Sequence, residues 1–489
     1  MSSAAGGGTV PSTTTPRAER PRRGDLVELR IEGVAHGGAG VGRLERYVVF
    51  VDGAFPGELV RAETLRSKRD YANARVAEVL EPSPDRVPQR CDHDDQPCPG
   101  SLWQPLRYER QLELKHGLVD DAMRRIGSLD QFELEPIVPT ADPWRYRNKM
   151  EYSFGTSEDG TLALGFHRRG RWDVVDDARD CMLASERSNA VRNLVRDWCT
   201  QRGLDAMDRR TREGLLRNLI VREGRRTGEL QVRLVTAEGQ FEHEDLCAAV
   251  RAAHPGADVL WTRTDRLAEV TQGGDTEVLA GSAVLHEELC DLRFRISPEA
   301  FFQTNTETAE LLYGLARDYA QPGGGGEAAE GGKAPRGSER VHDLFCGIGT
   351  LSLALALRAG EVWGLDVVHE AIADAIENAR LNEIENVHFF AGDVRDALRP
   401  LAERAPRPDV AVVDPPRAGL SQKVVRRLLK TNPSRIVYVS CNPTTLAPNA
   451  RQMVDAGYRL VKVRPVDMFP HTPHIECVAL LERERGADG

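Results

Sequence analysis

The sequence predicts a multi-domain chain: a small all-β barrel, a mixed α+β middle and a parallel α/β domain at the C-terminal end. Three observations carry this expectation. At 489 residues the chain exceeds the size at which one hydrophobic core stops growing. Between Gly24 and about Arg86 short alternating runs are punctuated by glycine turns, the pattern of a barrel. Beyond a Gly/Ala/Glu-rich stretch at 321–340 the pattern changes to strands alternating with helices, the mark of a parallel sheet.

Residues 1–23 are rich in Ser, Thr, Gly, Pro and Arg and read as a disordered tail without the apolar core of a secretory signal. In 24–86 the runs Leu26 to Ile31, Tyr47 to Val51, Glu58 to Ala62 and Arg75 to Val79 are the expected strands. The glycine run Gly37 to Gly42 and the basic stretch Arg66-Ser67-Lys68-Arg69 with Tyr71 resemble the TRAM domain, an OB-like RNA-binding module. An oligomerisation barrel is the alternative, because fold does not fix function. Residues 87–300 form the expected central α+β domain, with two arginine-rich segments, Trp144 to Trp172 and Arg209 to Arg226. The aromatics Trp144, Tyr146, Tyr152, Phe166 and Trp172 in the first favour RNA, because unstacked bases need π faces. In the second, seven arginines face two glutamates, an excess able to follow a phosphate backbone; a solvated charged face is the alternative. Residues 301–489 form the expected α/β domain, with 321–340 as a mobile insert.

No apolar run approaches the ~18 to 20 residues that span a bilayer, so a cytoplasmic protein without a membrane partner is expected, and a monomer. Nine cysteines scattered over the chain favour reduced thiols, each to be judged by its neighbours. The net charge of −10 argues against a nucleic-acid partner as a whole. Local patches count separately, and arginine greatly outnumbers lysine, which suits phosphate and base stacking.

A nucleotide-type site is expected where Val341 to Phe345 reads as a strand, Cys346-Gly347-Ile348-Gly349-Thr350 as a tight turn and Leu351 to Arg358 as a helix. Asp366, at the next strand end, stands where it accepts both ribose hydroxyls. Asp393, ending Ala391-Gly392-Asp393, is placed for an adenine amino group. Ser352 replaces the third glycine of the dinucleotide fingerprint, which leaves a pyrophosphate less room and makes S-adenosylmethionine the better ligand than NAD.

Three side chains, each at the edge of an apolar run, carry the chemistry. Asp414-Pro415-Pro416-Arg417 resembles the D/N-P-P-x motif with which many methyltransferases hold a planar base. Cys441, one strand later, is a nucleophile at the open end of a parallel sheet, and methylation of an amino nitrogen needs none. Carbon 5 of uracil does need one: thiolate addition at carbon 6 supplies the electrons, and a carboxylate suffices to remove the carbon 5 proton afterwards. Glu476, closing Pro470 to Glu476, is the candidate base.

The set Phe301-Phe302-Gln303-Thr304-Asn305, Asp343 to Thr350, Asp414 to Gly419, Ser440 to Pro443 and Asp467 to Glu476, with Tyr146 to Met150, resembles the RNA uracil-5 methyltransferases from about Gly24 to Arg483. That resemblance implies a Rossmann-like catalytic domain, with Cys441 as nucleophile and Glu476 as base. It implies Asp414 and Gln303 at the uracil or cofactor, and Phe345, Gly347, Gly349, Asp366 and Asp393 at S-adenosylmethionine. It also implies that a segment near Leu106 to Phe132 packs on the catalytic domain. Family members with a 4Fe-4S cluster carry C-x5-C-G-G-C and a distant fourth cysteine. Here Cys91 and Cys98 stand one residue further apart, Cys181 is the distant match and Ser101 occupies the third ligand's place. Four thiolates are the usual demand and three remain, which leaves two alternatives: a 4Fe-4S cluster completed by Ser101 or water, or a relic that packs as ordinary thiols.

Two rivals define the reading. An RNA cytosine-5 methyltransferase would carry a second cysteine in the Asp414 motif, which has none. A non-catalytic TRAM-type RNA-binding protein would have no use for Cys441, Glu476 and the glycine loop together. The expected substrate is a uridine of 23S ribosomal RNA, with transfer RNA as the alternative.

Overall fold

Alternate residues of the first β runs are apolar, and the fold turns them to one side. In the computed structural model, which describes residues 20–91, 98, 100–266, 268, 271–321 and 337–484, the chain divides into two compact units that meet in sequence at Arg86 and Val87. Most of the tail expected at 1–23 and of the insert expected at 321–340 lies outside the described residues.

In the first unit β1 (Leu26–Val34), β2 (Gly40–Leu44), β3 (Tyr47–Asp52), β4 (Leu59–Ser67) and β5 (Tyr71–Glu81) close into a barrel in the order β1-β2-β3-β5-β4. Leu29, Ile31, Val49, Val51 and Val60 fill it, with Ala62, Ala72 and Ala74 where space is shorter. The glycine run, read from sequence as a turn, ends in the strand β2. A side chain at Gly42 would put its Cβ 2.7 Å from the Arg30 carbonyl, so glycine is what lets β1 and β2 approach. The fully buried Glu58 accepts hydrogen bonds from the Phe55 amide at 2.9 Å and from Arg86 Nε at 2.5 Å. A buried carboxylate requires such partners.

The second unit opens with α1 (Tyr108–Asp121), a π-helical turn at Ala122–Ile126 and the short β6 (Glu133–Leu134). A seven-stranded sheet follows, of β7 (Lys149–Thr156), β8 (Leu162–Arg168), β9 (Arg171–Asp177), β10 (Leu216–Glu223), β11 (Leu230–Thr236), β12 (Asp258–Arg263) and β13 (Asp275–Ala280), in the order β13-β12-β11-β10-β7-β8-β9. Helices α2 (Glu186–Gln201) and α3 (His243–Ala253) pack Val191, Val195, Trp198, Leu246 and Val250 into its core.

This sheet redistributes the arginines of 209–226. All eight residues of β10 are buried, so Arg217 and Arg222 turn inward: Arg217 donates to the carbonyls of Arg266 and Ala268, Arg222 to those of Ser297 and Ala300. Arg225 pairs with Glu307 and Arg226 with Glu310. The segment is therefore no continuous phosphate track; four of its charges hold the fold.

The hairpin β14 (Leu285–Leu289) and β15 (Leu292–Ile296) and helix α4 (Thr306–Ala320) lead into the parallel region. There β16 (Arg340–Leu344), α5 (Thr350–Ala356), β17 (Glu361–Asp366), α6 (His369–Leu381), β18 (Val387–Ala391), α7 (Val394–Arg404), β19 (Val410–Val413), α8 (Gln422–Thr431), β20 (Arg435–Ser440) and α9 (Pro443–Val454) alternate, and β21 (Tyr458–Val466) and β22 (Glu476–Arg483) close the sheet. Its order is β18-β17-β16-β19-β20-β22-β21-β6. Every residue of β19 and five of six in β20 are buried, as a sheet covered on both faces demands. The order reverses between β16 and β19, and in open α/β sheets ligands bind beyond the strand ends at that point. Among the described residues no helix is long and apolar enough to cross a membrane.

Candidate active site

All the parallel strands end on the same edge, and the motif residues follow those ends. β16 stops at Leu344, and Phe345 already has a left-handed backbone at φ 73°, so the strand read as reaching Phe345 is one residue shorter. The turn needs that conformation repeatedly: Gly347 and Gly349 follow at φ 55° and 83°, and α5 begins at Thr350. The Asp366 carboxylate accepts the amides of Gly347 and Val368, both at 2.9 Å. It thus clamps the glycine loop to the end of β17, while each oxygen keeps a lone pair for a hydroxyl. Beyond it Val367 and Val368 are exposed apolar side chains, 57% and 47%, beside a polar loop. Asp393, exposed ahead of α7, caps Arg395 N at 2.7 Å. Gly347, Gly349, Asp366 and Asp393 are thus brought to one edge, and the donors and acceptors suit an adenosyl group there.

The second half of the edge holds Asp414, Cys441 and Glu476. Val413 pairs with Tyr438 and Ser440 with Cys477, so Asp414 and Cys441 leave neighbouring strand ends and Glu476 enters β22 beside Cys441. Asn442 caps α9 by accepting Thr444 N at 3.1 Å and donates to the Arg417 carbonyl at 3.1 Å, which ties the Cys441 turn to the Asp414 loop. Burial raises all three groups, and Asp414 adds to the shifts of Cys441 and Glu476. Burial pushes the Asp414 carboxyl up to about 7, with the nearby Asp343 adding to it. Burial, then Glu476 and Asp414, push the Cys441 thiol up to about 11, and Arg417 opposes them. Glu476 is displaced upward by burial and by Asp414, again opposed by Arg417.

Two residues that sequence reasoning left without a role stand here. Arg417 Nη2 donates at 2.6 Å to His474 Nδ1, and burial with the Arg417 charge lowers that imidazole to about 4, so it accepts as the neutral ring. Tyr313 on α4 is buried, receives the Thr350 hydroxyl at 3.4 Å and has its phenol raised by burial, Asp414 and Glu476. Nothing in the sequence marks Tyr313, which sits on the apolar face of an ordinary helix. Gln303 is 7% exposed and bonds the same phenol, whereas Phe301, two residues earlier, is 69% exposed. Asn148 of the Tyr146 to Met150 motif donates to the Gln303 carbonyl at 2.8 Å and to Thr306 Oγ1 at 2.9 Å, fixing the Gln303 turn.

Helix α1 holds the loop ahead of Glu476. The fully buried Lys115 Nζ donates to Asp467 Oδ1 at 2.5 Å and to the Phe469 carbonyl at 3.0 Å. Gln111 Oε1 accepts His471 N at 2.9 Å, and its amide donates to His471 Nδ1 at 3.1 Å. His471 has a left-handed backbone, φ 62°, and stacks on Trp144 at 3.8 Å.

Cys91, Cys98 and Cys181 are buried, and the Cys181 thiol is raised to about 11, chiefly by burial and with contributions from Cys98 and Cys91. Residues 92–97 between the first two lie outside the described residues. The Gln104 amide nitrogen donates to Cys91 Sγ at 3.2 Å and to Ser101 Oγ at 3.0 Å. Among the described residues no three His, Cys, Asp or Glu side chains are grouped to hold a metal ion. A neutral serine hydroxyl already engaged by an amide does not fit the four-thiolate demand of the cluster.

The family described as tRNA (Uracil-5-)-methyltransferase matches residues 333–484, and the TRAM domain matches residues 20–77. An uncharacterized RNA methyltransferase of Halalkalibacterium halodurans is 37% identical over 94% of this chain and 97% of its own. Another, of Chlorobaculum tepidum, is 38% identical over 95% and 98%. Among solved structures, Pyrococcus abyssi tRNA (uracil-54, C5)-methyltransferase in complex with S-adenosyl-L-homocysteine matches at a TM-score of 0.72 and 28% identity, over 93% of this chain and 100% of that one.

Proposed function

The chain belongs to the RNA uracil-5 methyltransferase family, and from that premise we propose that it methylates carbon 5 of a uridine in RNA through a covalent adduct on Cys441. The observation that carries this is the convergence of Cys441, Glu476 and Asp414 beside the glycine loop, on neighbouring ends of one sheet. S-adenosylmethionine, when bound at Gly347, Gly349 and Asp366, supplies an electrophilic methyl group.

The chain's own residues do the rest. Cys441 adds through sulfur to carbon 6 of the uracil, which moves the ring's electron pair to carbon 5 and the carbonyl oxygen. Arg417, the cation that opposes the upward shifts of both Cys441 and Glu476, stabilises the thiolate. Once carbon 5 carries the methyl group, Glu476 takes its proton; the returning electrons restore the double bond and expel the Cys441 sulfur. Asp414 and Gln303 hold the edge of the base, and the exposed ring of Phe301 offers it a stacking face.

The substrate proposed first is large-subunit ribosomal RNA, on the TRAM barrel and the remnant cysteines. A transfer RNA is the second reading, favoured by the solved archaeal enzyme, which acts on tRNA and matches nearly the whole chain. Mass mapping of 5-methyluridine in both RNAs of a deletion strain tests this. Loss of one methyluridine from 23S ribosomal RNA supports the first reading, loss from transfer RNA replaces it, and no loss from either refutes both.

A further inference from the structure

Tyr313 takes no part in the steps that Cys441 and Glu476 carry out, yet its phenol stands among them. Helix α4 packs against β19, β20 and β22, the strands that hold Asp414, Cys441 and Glu476 at or just past their ends. Ala309 and Ala316, about one turn to either side of Tyr313, are fully buried and let the helix lie close to the sheet.

Two side chains bond the phenol oxygen. One is Thr350, which opens α5 directly after the glycine loop and donates its hydroxyl at 3.4 Å. The other is Gln303, on the segment that leads into α4. The Gln303 main chain is itself fixed, because Asn148 donates to its carbonyl at 2.8 Å. Two residues on, Asn305 caps α4 by accepting Thr308 N at 3.2 Å and donates to the Met468 carbonyl at 3.2 Å, on the loop that ends in Glu476. What remains to be placed is the end of the Gln303 side chain, and the phenol places it. A phenylalanine would fill the same space, and a buried hydroxyl costs stability unless it is bonded. This one is bonded to both halves of the site. Burial, then Asp414 and Glu476, raise the phenol, so it keeps its proton at neutrality and does not act as a base. A neutral hydroxyl, with one proton and two lone pairs, accepts from Thr350 and still bonds Gln303.

We infer that Tyr313 is a positioning residue for methyl transfer: its hydroxyl ties Gln303, on the side of the base, to Thr350, on the side of the cofactor, and so holds carbon 5 in line with the methyl group. The inference rests on the uridine-methylation reading above. Reacting atoms must stand about 3 to 3.5 Å apart and aligned, and a misplacement of about 1 Å costs roughly a hundredfold in rate.

Kinetics with methyl-labelled S-adenosylmethionine and total RNA from a deletion strain test this on the full chain. Tyr313→Phe removes the hydroxyl and keeps the ring. Its turnover at saturating RNA and cofactor should fall about tenfold or more. KM for the RNA and the calorimetric affinity for S-adenosylmethionine should stay within about twofold, the split expected when only the transition state loses support. The pH–rate profile should keep its shape, because the phenol does not titrate in the working range. Thr350→Val breaks the same tie, so it should slow the wild type but add less than about twofold to the loss in Tyr313→Phe. Unchanged turnover in Tyr313→Phe, or two losses that multiply, overturns the tie. A cofactor affinity that falls with the rate makes the phenol a part of the cofactor pocket, and a profile that loses a limb makes it an acid or base; either overturns the positioning role. A wild-type enzyme that transfers no methyl to this RNA overturns the uridine reading instead.

Discussion

Lys115→Met should destabilise the chain by about 3 to 5 kcal/mol, far more than one ordinary hydrogen bond. The magnitude follows from what the change leaves behind. Lys115 and Asp467 are both fully buried, so removing the ammonium strands a carboxylate and also frees the Phe469 carbonyl that Lys115 bonds at 3.0 Å. An isosteric methionine keeps the packing near Trp103, whose ring lies 6.0 Å from Nζ, so the loss is electrostatic rather than a cavity. Combining Lys115→Met with Asp467→Asn removes the stranded charge and should recover about 2 kcal/mol or more relative to the sum of the single changes. Urea unfolding followed by tryptophan fluorescence measures this. Since the pair anchors the loop that ends in Glu476, single-turnover methyl transfer should fall in Lys115→Met even in the absence of denaturant. A cost below about 1 kcal/mol, or a strictly additive double variant, refutes the claim that a buried ion pair pins this loop.

Asp366→Ala should weaken S-adenosylmethionine by roughly tenfold or more in calorimetry, because the clamp on Gly347 and the acceptors for the ribose go together, while RNA binding stays near wild type; unchanged cofactor affinity removes Asp366 from the site. Arg417→Met should shift the rising limb of the pH–rate profile to higher pH, since Arg417 alone among the nearby charges lowers the Cys441 thiol, which is protonated at neutrality with its value near 11; an unshifted profile denies Arg417 that role. Protein purified without oxygen should contain no iron or sulfide in cluster stoichiometry, and Ser101→Cys should acquire both together with visible absorbance; a cluster in the unaltered protein contradicts the reading of Ser101.

Much of the site was legible because its residues follow strand ends in short, unusual motifs. Apolar runs bounded by Asp414-Pro415-Pro416 and by Cys441-Asn442-Pro443 announce a parallel sheet with chemistry at its edge, and the sheet order makes them neighbours. What stayed hidden depends on tertiary packing. Tyr313 reads as core, and only the placement of α4 beside the sheet turns its phenol toward Asp414 and Glu476. Arg217 and Arg222 read as surface charges, but β10 is a central strand buried along its whole length, so they bond carbonyls inside. Gly40 and Gly42 read as a turn, although they are the close contact that lets a narrow barrel shut.

The order of the covalent steps is the central claim, and Glu476→Gln with S-adenosylmethionine and substrate RNA tests it most directly. If Cys441 adds before methyl transfer and Glu476 acts afterwards, the variant should accumulate a methylated protein–RNA species that survives denaturing electrophoresis, and Cys441→Ala should give neither that species nor product. Normal turnover by Glu476→Gln would show that the carbon 5 proton leaves by another route, and would contradict the assignment of Glu476 as the base.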